Sequence, residues 1–126
     1  MRALAGFLTL LAIGLSGCGG GRRTEELLEQ LRSPDAASRL HAVQALADRH
    51  AKGSAAVAAL AEALRDVDPF VRRDAARALG HVGTAAESAV PALHVAARDQ
   101  NPQVRKAVSE ALRKIRPGQL SNAGTG

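Results

Sequence analysis

Few side chains in this sequence could do chemistry, and their spacing limits what that chemistry could be. Its 126 residues hold one cysteine, four histidines, and seventeen basic against twelve acidic residues. Cys18 is the strongest nucleophile by type, but it stands in LSGCGGG, Leu15 to Gly21, directly behind an apolar run. Alone, it permits no internal disulfide. His41, His50, His81 and His94 follow no metal-ligand spacing. No glycine-rich phosphate loop follows a strand, and no serine stands in a nucleophile elbow. The acidic residues are spread as they would be over solvated helix faces. The expectation is a protein that is not an enzyme and carries neither a metal nor another cofactor.

The elements that position these groups follow from composition. Phe7 and Phe70 are the only aromatic residues, and the chain has neither Trp nor Tyr. A core packed from alanine, leucine and valine suits helices lying close together, not a sandwich of β-branched and aromatic strands. The net charge of +5 is modest and scattered. A nucleic-acid surface would want stacking aromatics or a denser basic face, so no nucleic-acid partner is expected.

Met1-Arg2 followed by ALAGFLTLLAIGL, Ala3 to Leu15, has the layout of an export signal and is short for a membrane-spanning helix. LSGC, Leu15 to Cys18, resembles the lipobox of bacterial lipoproteins. The resemblance implies cleavage after residue 17 and a thioether-linked diacylglycerol on Cys18, usually with a third acyl chain on the new amino group. Two or more chains anchor stably, at about 0.8 kcal/mol per buried methylene. Residues 18–23 then read as the lipidated cysteine and a flexible tether, with Arg22 and Arg23 near anionic head groups. The expected location is the cell envelope, on a membrane. Gly19, where an inner-membrane retention signal would have Asp, leans toward the outer membrane of a Gram-negative cell.

Beyond the tether the sequence repeats every 33 residues. Leu27, Leu60 and Leu93 coincide, as do Arg32, Arg65 and Arg98, Arg39, Arg72 and Arg105, Ala45, Ala78 and Ala111, and Leu46, Leu79 and Leu112. Each copy reads as two helices. Val71, Ala75, Ala78, Leu79 and Val82 make a one-face helical stripe, repeated by Val104, Val108, Ala111, Leu112 and Ile115. Asp68-Pro69 and Asn101-Pro102 mark the starts of second helices, and Ser33-Pro34 does so in the first copy, two residues early. First helices are expected near Glu25–Arg32, Ala55–Arg65 and Ser88–Arg98. Gly80 and Gly83 should end the middle copy, and Ser54 should cap the helix that follows Gly53.

LRDVDPFVRRDAARALGHVG and ARDQNPQVRKAVSEALRKI resemble HEAT-like repeats, in the short form also found in phycobilisome lyases. The resemblance implies an all-α, right-handed α-solenoid of three helix pairs over residues 24–116; residues 1–17 read as the signal and 117–126 as a disordered tail. It also implies that Arg39, Arg72 and Arg105 pair with turn aspartates, here Asp66 and Asp99, tying repeat to repeat. The first copy departs from the pattern, with Ser33 in the aspartate column and Ser38 in that of Val71.

One departure is apolar. Phe70 aligns with Ala37 and Gln103, and Leu40 with Arg73 and Lys106, outside the core stripe. Leu40 and Phe70, flanked by Arg73, Arg77 and Lys106, would form a surface with the composition of an interface hot spot. The alternative has Phe70 folded over the adjacent turn and Leu40 packed on the first helix. The leading functional expectation is a membrane-anchored interaction module for an unidentified envelope protein, acting in scaffolding, assembly or regulation. Two others stand beside it: a bilin-lyase-like enzyme or accessory by fold analogy, and a structural module that forms a homodimer through the solenoid ends.

Overall fold

The computed structural model describes residues 20–49 and 53–119. Cys18 and the apolar run before it lie outside the described residues, as do His50 and the tail beyond 119. Among the described residues every regular element is helical: α1 (Gly20–Gln30), α2 (Ala36–Asp48), α3 (Ser54–Ala63), α4 (Pro69–Val82), α5 (Val90–Ala96) and α6 (Pro102–Ile115), with a 3₁₀ segment, Gly83–Ala89, before α5. They pair as α1/α2, α3/α4 and α5/α6. The second helices form one layer, with α4 packed between α2 and α6, and the first helices form the other. The architecture is an all-α solenoid of three helix pairs.

The second helices begin where a capping side chain recurs at the repeat spacing. Asp35, Asp68 and Asn101 are the N-caps of α2, α4 and α6. The Ser38 amide donates to the Asp35 carboxylate at 3.0 Å, and the Phe70 and Gln103 amides to Asp68 and Asn101 at 2.8 Å each. Each cap contributes about 1 kcal/mol. The expected start at Ser33-Pro34 is therefore corrected to Asp35. The Ser33 hydroxyl accepts from the Asp35 amide instead of capping the helix.

Further boundaries differ from expectation. α1 begins at Gly20, inside the stretch 18–23 read as tether. The first-turn amides of a helix need no intrahelical partner, so propagation into two glycines costs only about 1 kcal/mol each relative to alanine. α5 begins at Val90 and not Ser88, which keeps Pro91 in the first turn, where its missing N–H is not needed. Ser54 is the first residue of α3, and the cap position belongs to Gly53. At the other end, Pro117–Gln119, expected to be disordered, form a turn held by Arg116, whose guanidinium donates to Gln119 and to Glu87.

Gly80 and Gly83 do different work. α4 runs straight through Gly80, where an added Cβ would sit 3.1 Å from Ala111 Cα. The glycine lets α4 and α6 approach closely. Gly83, with φ of 72°, ends the helix in a backbone region that disfavours side chains.

The expected stripes are the core. Val71, Ala75, Ala78, Leu79 and Val82 are buried, as are Leu27, Leu60 and Leu93 on the first helices, and Val104, Val108, Ala111 and Ile115 on α6. Leu112 is half-buried, since among the described residues no further helix packs on α6 as α6 packs on α4.

Candidate interaction site

Two arginine systems lie on this scaffold. The first repeats with the fold. Arg39 donates through Nε and Nη2 to the two oxygens of Asp66 at 2.8 and 3.0 Å, and Arg72 does the same to Asp99 at 2.8 and 3.1 Å. Each guanidinium also donates through Nη1 to two carbonyls of its own turn: Ser33 and Pro34 for Arg39, Asp66 and Val67 for Arg72. Asp66 and Asp99 in turn accept from the amides of Asp68 and Asn101, both at 2.9 Å. Side-chain exposure in the two ion pairs is 17% or less, so they are fastened in the seams between repeats. Arg105 keeps only the local half of the pattern, bonds to the Asp99 and Gln100 carbonyls, and has no carboxylate among the described residues. These pairs fix how one repeat sits on the next.

Burial pulls the Asp99 carboxyl upward. Hydrogen bonds from Arg72 and the Asn101 amide, with the charges of Arg72 and Arg105, outweigh it and hold the group below its ordinary 3.8.

The second system does not repeat. On α4, Phe70, Arg73, Asp74 and Arg77 stand at i, i+3, i+4 and i+7, one face of a helix. The corresponding residues are Ala37, Leu40, His41 and Gln44 in the first copy, and Gln103, Lys106, Ala107 and Glu110 in the third. Phe70 is 56% exposed, so its ring is not folded into the neighbouring turn. The Arg73 guanidinium lies over it, 5.2 Å from the ring centroid, a cation–π stack. Arg73 Nε also donates to Asp74 Oδ1 at 2.8 Å, and Gln44 Nε2, reaching across from α2, donates to Asp74 Oδ2 at 2.9 Å. Arg77 Nη1 stands 3.9 Å from the same Oδ1 and is mostly exposed.

Asp74 is the buried charged residue among the described ones. Desolvation raises its carboxyl, but donation from Arg73 and Gln44 and the charges of Arg73 and Arg77 prevail, and the group stays below 3.8. It is thus an anchored anion that holds one arginine flat against an aromatic ring. Asp74 and Gln44 escape a search for exposed apolar departures. The signal that finds them is a carboxylate in a column otherwise occupied by His41 and Ala107.

The remaining expected members divide. Lys106 is exposed on α6, one repeat over from Arg73. Leu40 is half-buried against the core. It stands one turn before Gln44 on α2, and burial of its apolar side chain takes it off the expected exposed ridge. On the opposite layer, shallow grooves of about 400 Å³ run between α3 and α5 and about 410 Å³ between α1 and α3. His41, His81 and His94 are exposed. Among the described residues no His, Cys, Asp and Glu side chains group to hold a metal, and no helix is long and apolar enough to cross a membrane.

Comparison with known proteins places this geometry. The HEAT-repeat family model matches residues 24–88. Among solved structures, the chain is similar to one in the complex of CpcE and CpcF of phycocyanin lyase from Nostoc sp. PCC7120, at 34% identity and a TM-score of 0.69, covering 74% of this chain and 37% of that one. It is also similar to an engineered protein at 28% identity and a TM-score of 0.60, covering 75% of this chain and 46% of that one. In both cases the chain spans less than half the length of its neighbour. The comparison with curated proteins gave no match.

Proposed function

The chain belongs to the HEAT-repeat family, a scaffold suited to protein interaction, and from that premise we propose a non-catalytic docking module. Lipid on Cys18 tethers it to a cell-envelope membrane, and the α4 face receives a protein partner in scaffolding, assembly or regulation of a larger complex. The observation that carries the reading is the Phe70–Arg73–Asp74–Arg77 face. These residues break the repeat together, on one side of one helix, and keep a large aromatic exposed where the repeat needs none. An exposed ring stacked under an arginine has the composition of residues that dominate interface energies. Stacking costs little further ordering on binding, because Asp74 already holds Arg73 in place.

The test is site-specific photo-crosslinking in the membrane fraction, with the crosslinker at Gln103 beside this face and, as a control, at Ala58 on the first-helix layer. A partner captured from 103 and not from 58, and lost in Phe70→Ala/Arg73→Glu with helicity retained, supports the reading. Equal capture by the double variant removes this face from consideration.

Similarity to a chain in a phycocyanin lyase complex favours a second reading, an accessory to or enzyme of bilin attachment. Visible absorbance of the purified protein after incubation with a bilin tests it: a bound chromophore would favour this reading over the docking module.

A further inference from the structure

We infer that the occupant of the α4 face is an acidic protein segment carrying an apolar side chain beside its carboxylates. The inference deepens the docking reading and rests on it. Its basis is a charge inventory that the chain cannot balance by itself. All twelve Asp and Glu residues lie among the described residues, so no carboxylate side chain elsewhere in the sequence can reach this face. Asp66 and Asp99 are committed to Arg39 and Arg72. Asp74 gives its near oxygen to Arg73 at 2.8 Å and leaves Arg77 at 3.9 Å. Lys106 and Lys114, on the neighbouring helix, enter no ion pair among the described residues.

The Lys114 stem lies on the seam, its Cδ 3.4 Å from where a Cβ would stand on Gly80, one turn along α4 from Arg77. Glu110, between the two lysines on α6, and Asp48, one turn beyond Gln44 on α2, are the other carboxylates on this helix layer's flanks of α4, and neither enters an ion pair among the described residues. Arg77, Lys106 and Lys114 against Glu110 and Asp48 still leave a surplus of positive charge along the helix layer that carries the exposed phenyl ring. Arg77 can offer a carboxylate a bidentate fork. Arg73, already neutralised by Asp74, serves as a lid on the ring.

A lipid surface fits the same observations less well. Anionic membranes recruit clusters of about four to eight basic residues, and three with an interposed glutamate fall short. The fixed Phe70–Arg73–Asp74–Gln44 arrangement is also wasted on a fluid headgroup layer but suits one side chain laid against the ring.

The experiment uses the full-length protein in nanodiscs of zwitterionic lipid. The probes are two fluorescein-labelled amphipathic peptides of about 18 residues, one of Glu and Leu, its counterpart of Lys and Leu, read by anisotropy at about 50 and 300 mM salt. The Glu peptide is expected to bind at least about tenfold tighter than the Lys peptide, to weaken at the higher salt, and to lose about tenfold in Arg77→Glu/Lys106→Glu. Phe70→Ala should weaken it comparably at both salt concentrations, as loss of an apolar contact would. Both substitutions are at exposed positions, and circular dichroism checks the fold. Equal binding of the two peptides, no binding of the Glu peptide, or indifference to Arg77→Glu/Lys106→Glu overturns the inference. Binding to anionic vesicles that needs Arg77 and Lys106, without binding to the Glu peptide, overturns it in favour of lipid. If photo-capture from position 103 needs Phe70 but survives Arg77→Glu/Lys106→Glu, the docking reading stands and the acidic partner falls.

Discussion

The arginine ladder carries its own control, because one column presents the same residue with and without a partner. Consider Arg72→Met and Arg105→Met, which keep much of the aliphatic stem and remove the guanidinium. Truncating one member of a fully buried ion pair costs about 3–5 kcal/mol, and an exposed pair contributes about 0–1 kcal/mol. Arg72 and Asp99 are 17% and 11% exposed, nearer the first case, and Asp99 would be left with the Asn101 amide as its remaining donor. We expect a loss of about 2–3 kcal/mol, a fall in Tm of about 10–20 °C for a domain of this size. Arg105 forfeits only hydrogen bonds to two carbonyls at an exposed site, at most about 1 kcal/mol. Urea unfolding of the full chain, followed by far-ultraviolet circular dichroism, measures both. The pH dependence gives a second check. The Asp99 carboxyl is depressed in the folded state, so its stabilisation is complete above its unfolded value near 3.8 and is lost as pH falls through the lower folded value. The gap between wild type and Arg72→Met should therefore close below pH 3.8. Equal losses for the two variants, or a gap that persists in acid, would refute the claim that an ionic pair joins the repeats.

Other outcomes follow from single positions. Gly80→Leu should cost about 1–3 kcal/mol by forcing α4 from α6 at the 3.1 Å contact with Ala111, seen as a lowered urea midpoint. Asp68→Ala should cost about 1 kcal/mol through the α4 cap, while Asp68→Asn should be nearly neutral in the same assay. Intact-mass measurement on membrane extracts should find wild type beginning at Cys18 with added lipid mass, and Cys18→Ser without it; identical unlipidated species would remove the anchor. Sedimentation should find no head-to-tail stacking, since that contact would set Arg105 against Ser33 rather than an aspartate, and a concentration-dependent sedimentation coefficient would contradict it.

Most of the fold was legible because repetition averages out local ambiguity. A stripe such as Val71, Ala75, Ala78 and Leu79 could be accidental once, but its recurrence at 104, 108, 111 and 112 makes it the inner face of a stacked helix. What escaped was set by single atoms. Ser33-Pro34 looked like a cap because serine and proline carry that signal, yet Asp35 stood in the correct column and its carboxylate reaches the Ser38 amide. Gly80 looked like a helix end because glycine often is one. Only the approach of Ala111, thirty-one residues away, shows why the helix continues through it.

The same logic explains why half of the candidate site was visible and half was not. Residues that recur, such as Arg39 and Arg72, serve the stacking of one repeat on the next, and their bonds are the same at both seams. Function has to be sought in what fails to recur. An exposed departure such as Phe70 is noticed at once, because an aromatic in an aromatic-poor chain is conspicuous. A buried departure such as Asp74 is hidden among ordinary acidic residues until its partners are known. Its burial at 7% exposure would be unfavourable without compensation, and the compensation spans two helices: Gln44 from α2, Arg73 and Arg77 from α4. The stack itself does not require that arrangement, since His41 and Ala107 occupy the same column in the other copies. A buried charge that folding does not demand, holding an arginine over an exposed ring, is best explained by the surface it shapes.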